Sequence, residues 1–215
     1  MVLIRQAKKQ DIPAVAALFV TAFPETMAHL FGDQPPHRAI RDIFSFLLAV
    51  EPDSFWVATR GEELLGYIIT PQNMRRLWIR ACTGGYLFKW AYRYFTGQYG
   101  FGLRPLKNLL CNKIGFILSP HNYRPGPAAQ VLSLAVHPRV TGQGIGTKLL
   151  THALQYLRRN QVQAVKLEVR PWNKPARHLY TKLGFVEVGT TSDSQGTWLV
   201  MIKSLSPGTP PPPPQ

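Results

Sequence analysis

Between Val136 and Thr147 the chain reads VHPRVTGQGIGT. Gly142, Gly144 and Gly146 fall together where a β-rich run, Val131–Val136, gives way to a helical one. Glycine lets the backbone approach a ligand and turn its N–H groups toward it. A helix beginning there adds N–H groups without carbonyl partners and the positive end of its dipole. The combination suits a pyrophosphate, with Thr141, Gly142, Gln143, Gly144, Ile145, Gly146 and Thr147 as its cradle. A tight strand-to-helix turn without a ligand is the plainer alternative. The segment lacks GxxxxGK[ST], and GxGxG is not the GxGxxG of a dinucleotide site. A dinucleotide loop also belongs after the first strand of its domain, whereas Gly146 lies late in the 215-residue chain. Downstream, Glu168 is the only acid between Glu63 and Glu187, and Tyr180 follows in the run NKPARHLY. Ser133 and His137 lie near the glycines, but nothing pairs them, and no Ser/His/Asp or Cys/His set is present. His121, His152 and His178 are isolated, so no metal site is expected.

These residues need elements to hold them. Val2–Ala7 reads as a first strand, and Asp11 stands where a helix N-cap belongs, with Pro13 in the first turn. Apolar residues at helical spacing carry that helix to about Phe23, and a second helix is expected over Arg38–Val50. Phe55–Thr59 and Leu64–Thr70 flank Arg60-Gly61-Glu62-Glu63 as a hairpin. After the glycines come a helix over Gly144–Asn160, a strand over Ala164–Val169 and a helix over Lys174–Leu183, closed by Gly184. Phe185–Thr190 and Thr197–Lys203 are two further strands. The expected fold is α/β, a mixed, mostly antiparallel central sheet flanked by helices. Residues 1–204 are expected to form one domain, and 205–215, ending in a proline run, a disordered tail.

Two segments resemble the cofactor-binding core of the GNAT superfamily of acyl-CoA-dependent N-acyltransferases. The first follows V-x-P-x-x-R/Q-G-x-G-I/V-G-x-x-L from Val136 to Leu149. The second follows N-x-x-A-x-x-L-Y-x-K-x-G-F from Asn173 to Phe185 without a gap. Ile4, Arg5, Ala7 and Asp11 also resemble the family's opening. The resemblance covers about 1–70 and 130–204. It implies that acetyl-CoA is the co-substrate and that its pantetheine arm lies like an extra strand beside Leu134, Ala135 and Val136. The amides from Gly142 to Thr147 would hold the pyrophosphate, and Asn173 would bond the pantetheine. Tyr180 would sit near the thioester sulfur as general acid. One departure stands out: the usual Arg or Gln falls on Thr141, and Arg139 lies two residues early as a substitute charge.

The chemistry so implied asks for few groups. An amine at neutral pH must lose a proton before it attacks, directly or through water. A backbone N–H of strand 131–136 could serve the oxyanion. Glu168, in an LEVR context similar to the protein N-terminal acetyltransferase branch, is the candidate base; its alternative is simple pairing with Lys166 or Arg170, on the same strand face. Asn173 can equally be a helix N-cap, and Tyr180 a core aromatic. The expected activity is acetyl (acyl) transfer to a primary amine by direct attack in a ternary complex. The competing reading is a binding module for acyl-CoA or an anionic surface, without turnover.

Charge is the remaining clue. Lys plus Arg is 25 against 11 acids, and the net charge is +14. No acid lies between Leu64 and Lys166, an interval rich in Arg and Lys. Such a field concentrates anionic partners. Within it, 71–129 is a basic, aromatic-rich insertion where the family usually has a short turn, and Tyr86–Phe95 reads there as a helix. It is read first as a lid over the acyl or acceptor end of the cleft. A peripheral contact with an anionic membrane comes second, and nucleic-acid stacking third and least favoured. Two cysteines without CxxC spacing, short apolar runs and a charged start fit a cytoplasmic protein, possibilities that include a membrane-peripheral one. Neither the acceptor nor the oligomeric state is readable.

Overall fold

The computed structural model describes residues 1–31, 36–100 and 129–206. The proline-rich end from 207, most of the second half of the insertion, and His121 lie outside the described residues. Strand β1 (Leu3–Gln6) leads into α1 (Ile12–Ala22), α2 (Pro24–Phe31) and α3 (His37–Val50). A hairpin follows, β2 (Phe55–Arg60) and β3 (Glu63–Ile69), then α4 (Met74–Thr83) and α5 (Tyr86–Phe95). The second half runs β4 (Ala129–Gln130), β5 (Ser133–Val136), α6 (Ile145–Arg159), β6 (Ala164–Val169), α7 (Lys174–Lys182), β7 (Val186–Asp193) and β8 (Gly196–Ser204).

The strands form two half-sheets, ordered β1-β2-β3-β5 and β4-β6-β8-β7. Every pairing is antiparallel except that of β4 with β6. The mixed, mostly antiparallel expectation therefore holds. One face of both half-sheets is covered by α6 and α7. Leu149, Leu150 and Leu157 of α6 are fully buried there against Leu65, Ile68, Leu167 and Met201. Each contributes about 2 kcal/mol by leaving water. On the opposite face of the first half-sheet, α1 and α3 cover Phe55, Val57, Tyr67 and Ala135. Phe44 of α3 meets Tyr67 edge-on with ring centroids 5.5 Å apart. The same face of the second half-sheet carries only a small cluster, Val188, Val200 and Ile202.

Three expectations need correction. The run Val131–Val136 is not one strand but breaks at Val131-Leu132, because its two ends serve different sheets. The Val131 N–H donates to the Lys166 carbonyl at 2.8 Å, and the next N–H, of Leu132, donates the other way to Ile69 at 2.9 Å. Asp11 precedes α1, but its carboxylate makes no cap bond to that helix. It accepts two bonds from Arg5, at 2.7 and 2.8 Å, and one from the Lys8 N–H, tying β1 to the turn before α1. These bonds, the Arg5 ones above all, hold the carboxyl below its ordinary range. Finally, α2 and α4 are helices where none was expected. For α4 a signal was present: Asn73 caps it by accepting from the Arg75 and Arg76 N–H groups, and Leu77 and Ala81, four apart, are buried.

Candidate active site

The break at Val131-Leu132 is a fork. Past it, β5 pairs only with β3, and β6 only with β8 on its other side, so no ladder joins β5 to β6 among the described residues. In an antiparallel pair, residues alternate between facing the partner strand and facing away. The His137 N–H bonds back to Leu65, so Ala135 shares the side turned to β3. The N–H and C=O groups of Leu134 and Val136 therefore point into the opening beside β6. Of the three residues expected to present backbone groups there, two do so, and the Ala135 groups belong to the β3 ladder. Behind β5, the Ser133 hydroxyl and the buried Tyr67 phenol lie 2.8 Å apart.

The open edge of β5 runs straight to the glycines. A short 3-10 turn, Pro138–Val140, carries the chain over, and the Thr141 hydroxyl donates to the Pro138 carbonyl at 2.9 Å. Gly142 and Gly144 have φ of 78° and 75°, a left-handed conformation that side chains disfavour. No atom would crowd a Cβ at either position, so backbone conformation alone accounts for glycine. Gly146 has the other reason: a Cβ there would lie 3.3 Å from Leu179 of α7 and 3.6 Å from Val136. Helix α6 begins at Ile145, and Lys148 is the first residue whose N–H bonds back, to Gly144 at 3.0 Å. The N–H groups of Ile145, Gly146 and Thr147 thus have no carbonyl within the helix. Gly142, Gln143 and Gly144 are exposed beside them, and so is Arg139. No acid stands in this loop. Its donors and its sign of charge fit a pyrophosphate, and the free edge of β5 fits an extended arm with amide groups.

The structure brings Tyr180 into the same layer. The side chain is buried, 8% exposed, among the residues under α6 and α7, with its ring 5.9 Å from that of Phe185. Burial pushes its phenol up to about 12, and among the described residues the hydroxyl has no hydrogen-bond partner. A phenol so held keeps its proton at neutral pH. Asn173 caps α7: its side-chain oxygen accepts the Ala176 N–H at 3.2 Å. That leaves its amide NH₂ for another partner.

Glu168 is not beside Tyr180 in the core. Alternation along β6 buries Val165, Leu167 and Val169 toward α6, and turns Lys166 and Glu168 to the opposite face. There Lys166 pairs with Glu168 at 3.3 Å, while Arg170 instead lies over the Trp198 ring, 3.7 Å from its centre. The carboxylate is exposed, so a solvent path to it is open. Two sides of the fork are therefore chemically different. The glycine turn and Tyr180 lie toward α6 and α7. Glu168 lies on the side of α1 and α3, which α2 spans to reach the β7–β8 turn, where the His29 ring nitrogen and the Ser194 hydroxyl are 3.1 Å apart.

Sequence reasoning missed what stands next to the fork on that second side. Helices α3, α4 and α5 line an open apolar cavity of about 570 Å³, and Leu132, at the fork itself, is part of its wall. Helix α5 is held in place by Asp42 of α3, which accepts from Arg93 and, at 2.7 Å, from the Tyr99 hydroxyl. Among the described residues there is no group of His, Cys, Asp and Glu able to hold a metal, and no helix long and apolar enough to cross a membrane.

The sequence model of the acetyltransferase (GNAT) family matches residues 12–185. A mycothiol acetyltransferase of Acidothermus cellulolyticus is 37% identical over 79 residues, covering 33% of this chain and 24% of that protein. An uncharacterized N-acetyltransferase of Methanocaldococcus jannaschii is 30% identical over 96 residues, 43% of this chain and 41% of that protein. The matches thus span less than half the length of these relatives. In fold the chain is similar to yncA from Salmonella typhimurium, solved with its cofactor acetyl-CoA. The TM-score is 0.59 at 15% identity, over 98% of this chain and 97% of that one.

Proposed function

From the premise that the chain belongs to the acetyltransferase (GNAT) family, we propose that it moves an acetyl group from acetyl-CoA to a primary amine by direct attack. Residues 1–204 act as one catalytic unit in this reading. One observation carries it: the unpaired edge of β5 leads directly to a cradle of free N–H groups at Gly142–Thr147. Leu134 and Val136 hold the pantetheine amides by their backbone groups, and Asn173 adds its side-chain NH₂. Thr141 contributes position rather than charge, and Arg139, exposed before the glycine turn, offers the phosphates a cation. The amine nitrogen attacks the thioester carbonyl carbon, forming the C–N bond as the C–S bond breaks. Glu168 takes a proton from the amine, directly or through water, and Tyr180 gives its phenolic proton to the departing sulfur. Solvent then resets both groups. The products are the amide and free coenzyme A.

The test is thermal unfolding with coenzyme A and acetyl-CoA, followed by thiol release with a panel of amines. A ligand at about 100 times its dissociation constant adds about 2.7 kcal/mol to the folded state. No stabilisation by either thioester or thiol overturns the reading. Binding without thiol release from any amine favours the non-catalytic module. A second reading concerns α5 alone. Phe88 and Phe95, 79% and 80% exposed, flank Lys89, a pattern suited to a peripheral contact with anionic lipid. Sedimentation with anionic and neutral vesicles tests it.

A further inference from the structure

We propose that the cavity between α3, α4 and α5 binds the apolar body of the amine acceptor. The inference rests on the transferase reading, and it assigns the acceptor's chemical class. The cavity adjoins the fork at Leu132, where a thioester lying along β5 from the glycine turn would end. The wall is apolar, from Ile43 and Phe46 of α3, through Leu77 and Ala81 of α4, to Trp90 of α5, and among the described residues no charged side chain is part of it. A volume of about 570 Å³ lies within the range of small-molecule sites. It far exceeds the need of a methyl group at the fork.

Which reactant it serves follows from the two faces. The glycine turn and Tyr180 belong to the layer of α6 and α7. The cavity belongs to the opposite layer, with α3, and Glu168 is turned to that same side of the sheet. A donor entering along β5 from the first side leaves the second for the nucleophile, on the same side as the group that would deprotonate it. An apolar wall disfavours a polyamine, because its second ammonium would be buried without a counter-charge. It selects a monoamine carrying an alkyl or aryl body. The Trp90 indole N–H is buried and has no partner among the described residues, so the occupant gains from one oxygen acceptor on that body.

The experiment is calorimetric titration of the intact protein with n-alkylamines from propylamine to octylamine, and with 2-phenylethylamine and spermidine, with and without coenzyme A. The expected dissociation constant falls about fourfold per methylene over the first several carbons, and spermidine binds weakest. Ala91→Trp, which fills the cavity from an exposed position, and Ile43→Gln, at a half-exposed one, should flatten the series without changing the thermal shift given by coenzyme A. A flat series in the unchanged protein overturns the inference. A normal coenzyme A shift beside it leaves the transferase reading standing. A parallel arm compares acetyl-, hexanoyl- and decanoyl-CoA. Chain-length dependence there, and not among the amines, also overturns the inference, because the cavity would then hold the donor's chain.

Discussion

Replacing Tyr180 by phenylalanine separates catalysis from binding more sharply than any other single change. The side chain is 8% exposed, and its hydroxyl has no partner among the described residues. Raising the phenol from 10.0 to about 12 corresponds to about 3 kcal/mol against the phenolate. Without a partner among the described residues, the hydroxyl can be removed with no loss of a hydrogen bond there. Phenylalanine keeps the ring contact with Phe185, so stability should stay within about 1 kcal/mol of the parent. The rate should not. A positioned general acid is worth about 10²–10⁴ in rate, or roughly 3–5 kcal/mol of barrier. The assay is thiol release at saturating acetyl-CoA, with coenzyme A affinity read separately by thermal shift. The expected result is a loss of at least 100-fold, on the scale just given, with affinity unchanged. A rate within about threefold of the parent, well below that scale, refutes the acid assignment. So does a loss of coenzyme A affinity in step with the rate.

Glu168→Gln should lower turnover by about 10²-fold or more if the carboxylate is the base. Its ion pair with Lys166 is partly exposed, so melting should move by less than about 1 kcal/mol. Gly144→Ala places a side chain at φ 75°, costing about 1–2 kcal/mol, and should weaken coenzyme A binding, read by thermal shift. Glu51 is buried, and loss of water raises its carboxyl above the ordinary value of 4.5, outweighing the bond it accepts from the Gln72 N–H. The folded state therefore binds its proton more tightly than the unfolded one, and stability is lost as pH rises from about that ordinary value through the raised one. Glu51→Gln should accordingly melt higher than the parent at pH 8 and gain less at pH 4, measured by thermal scans. Asp11 has the opposite sign. Its carboxyl is held down chiefly by Arg5, so its contribution is present above the ordinary value of 3.8 and fades as pH falls through the lowered one. Asp11→Asn should lose stability at pH 7 and little at pH 2.

The parts of this site legible in the sequence are those whose chemistry is local. Gly142 and Gly144 announce themselves because their left-handed backbone excludes other residues within three positions. The cap at Asn173 and the Tyr180 that follows it lie on one short helix, so spacing alone relates them. The fork at Val131-Leu132 was not legible. Six residues of uniform β character read as one strand, and only the bonds to Lys166 on one side and Ile69 on the other reveal the break. Those partners lie far apart in the chain. The same holds for Glu168, whose pairing with Lys166 was foreseen from alternation, while the face it occupies depends on where α6 packs. The cavity was hidden for a third reason. Helix α4 is amphipathic through Leu77 and Ala81, but its own pattern does not tell that α3 and α5 stand beside it around an open space.

The fork also explains why a sheet would give up part of its ladder. Joining β5 to β6 beyond Val131 would satisfy the Leu134 and Val136 backbone groups at once, yet the fork turns them outward. Unmade backbone bonds are tolerable only where water or a ligand can supply them. In the proposed complex, an extended arm carrying amides would restore the missing ladder, so binding would complete the sheet rather than merely occupy a hole. A completed sheet would wall the α6–α7 side from the α3 side everywhere except at the fork. Leu132 stands at that point, exposed and in the wall of the apolar cavity. In the proposed reaction, the break in β-structure decides both where the donor lies and from which side the nucleophile comes.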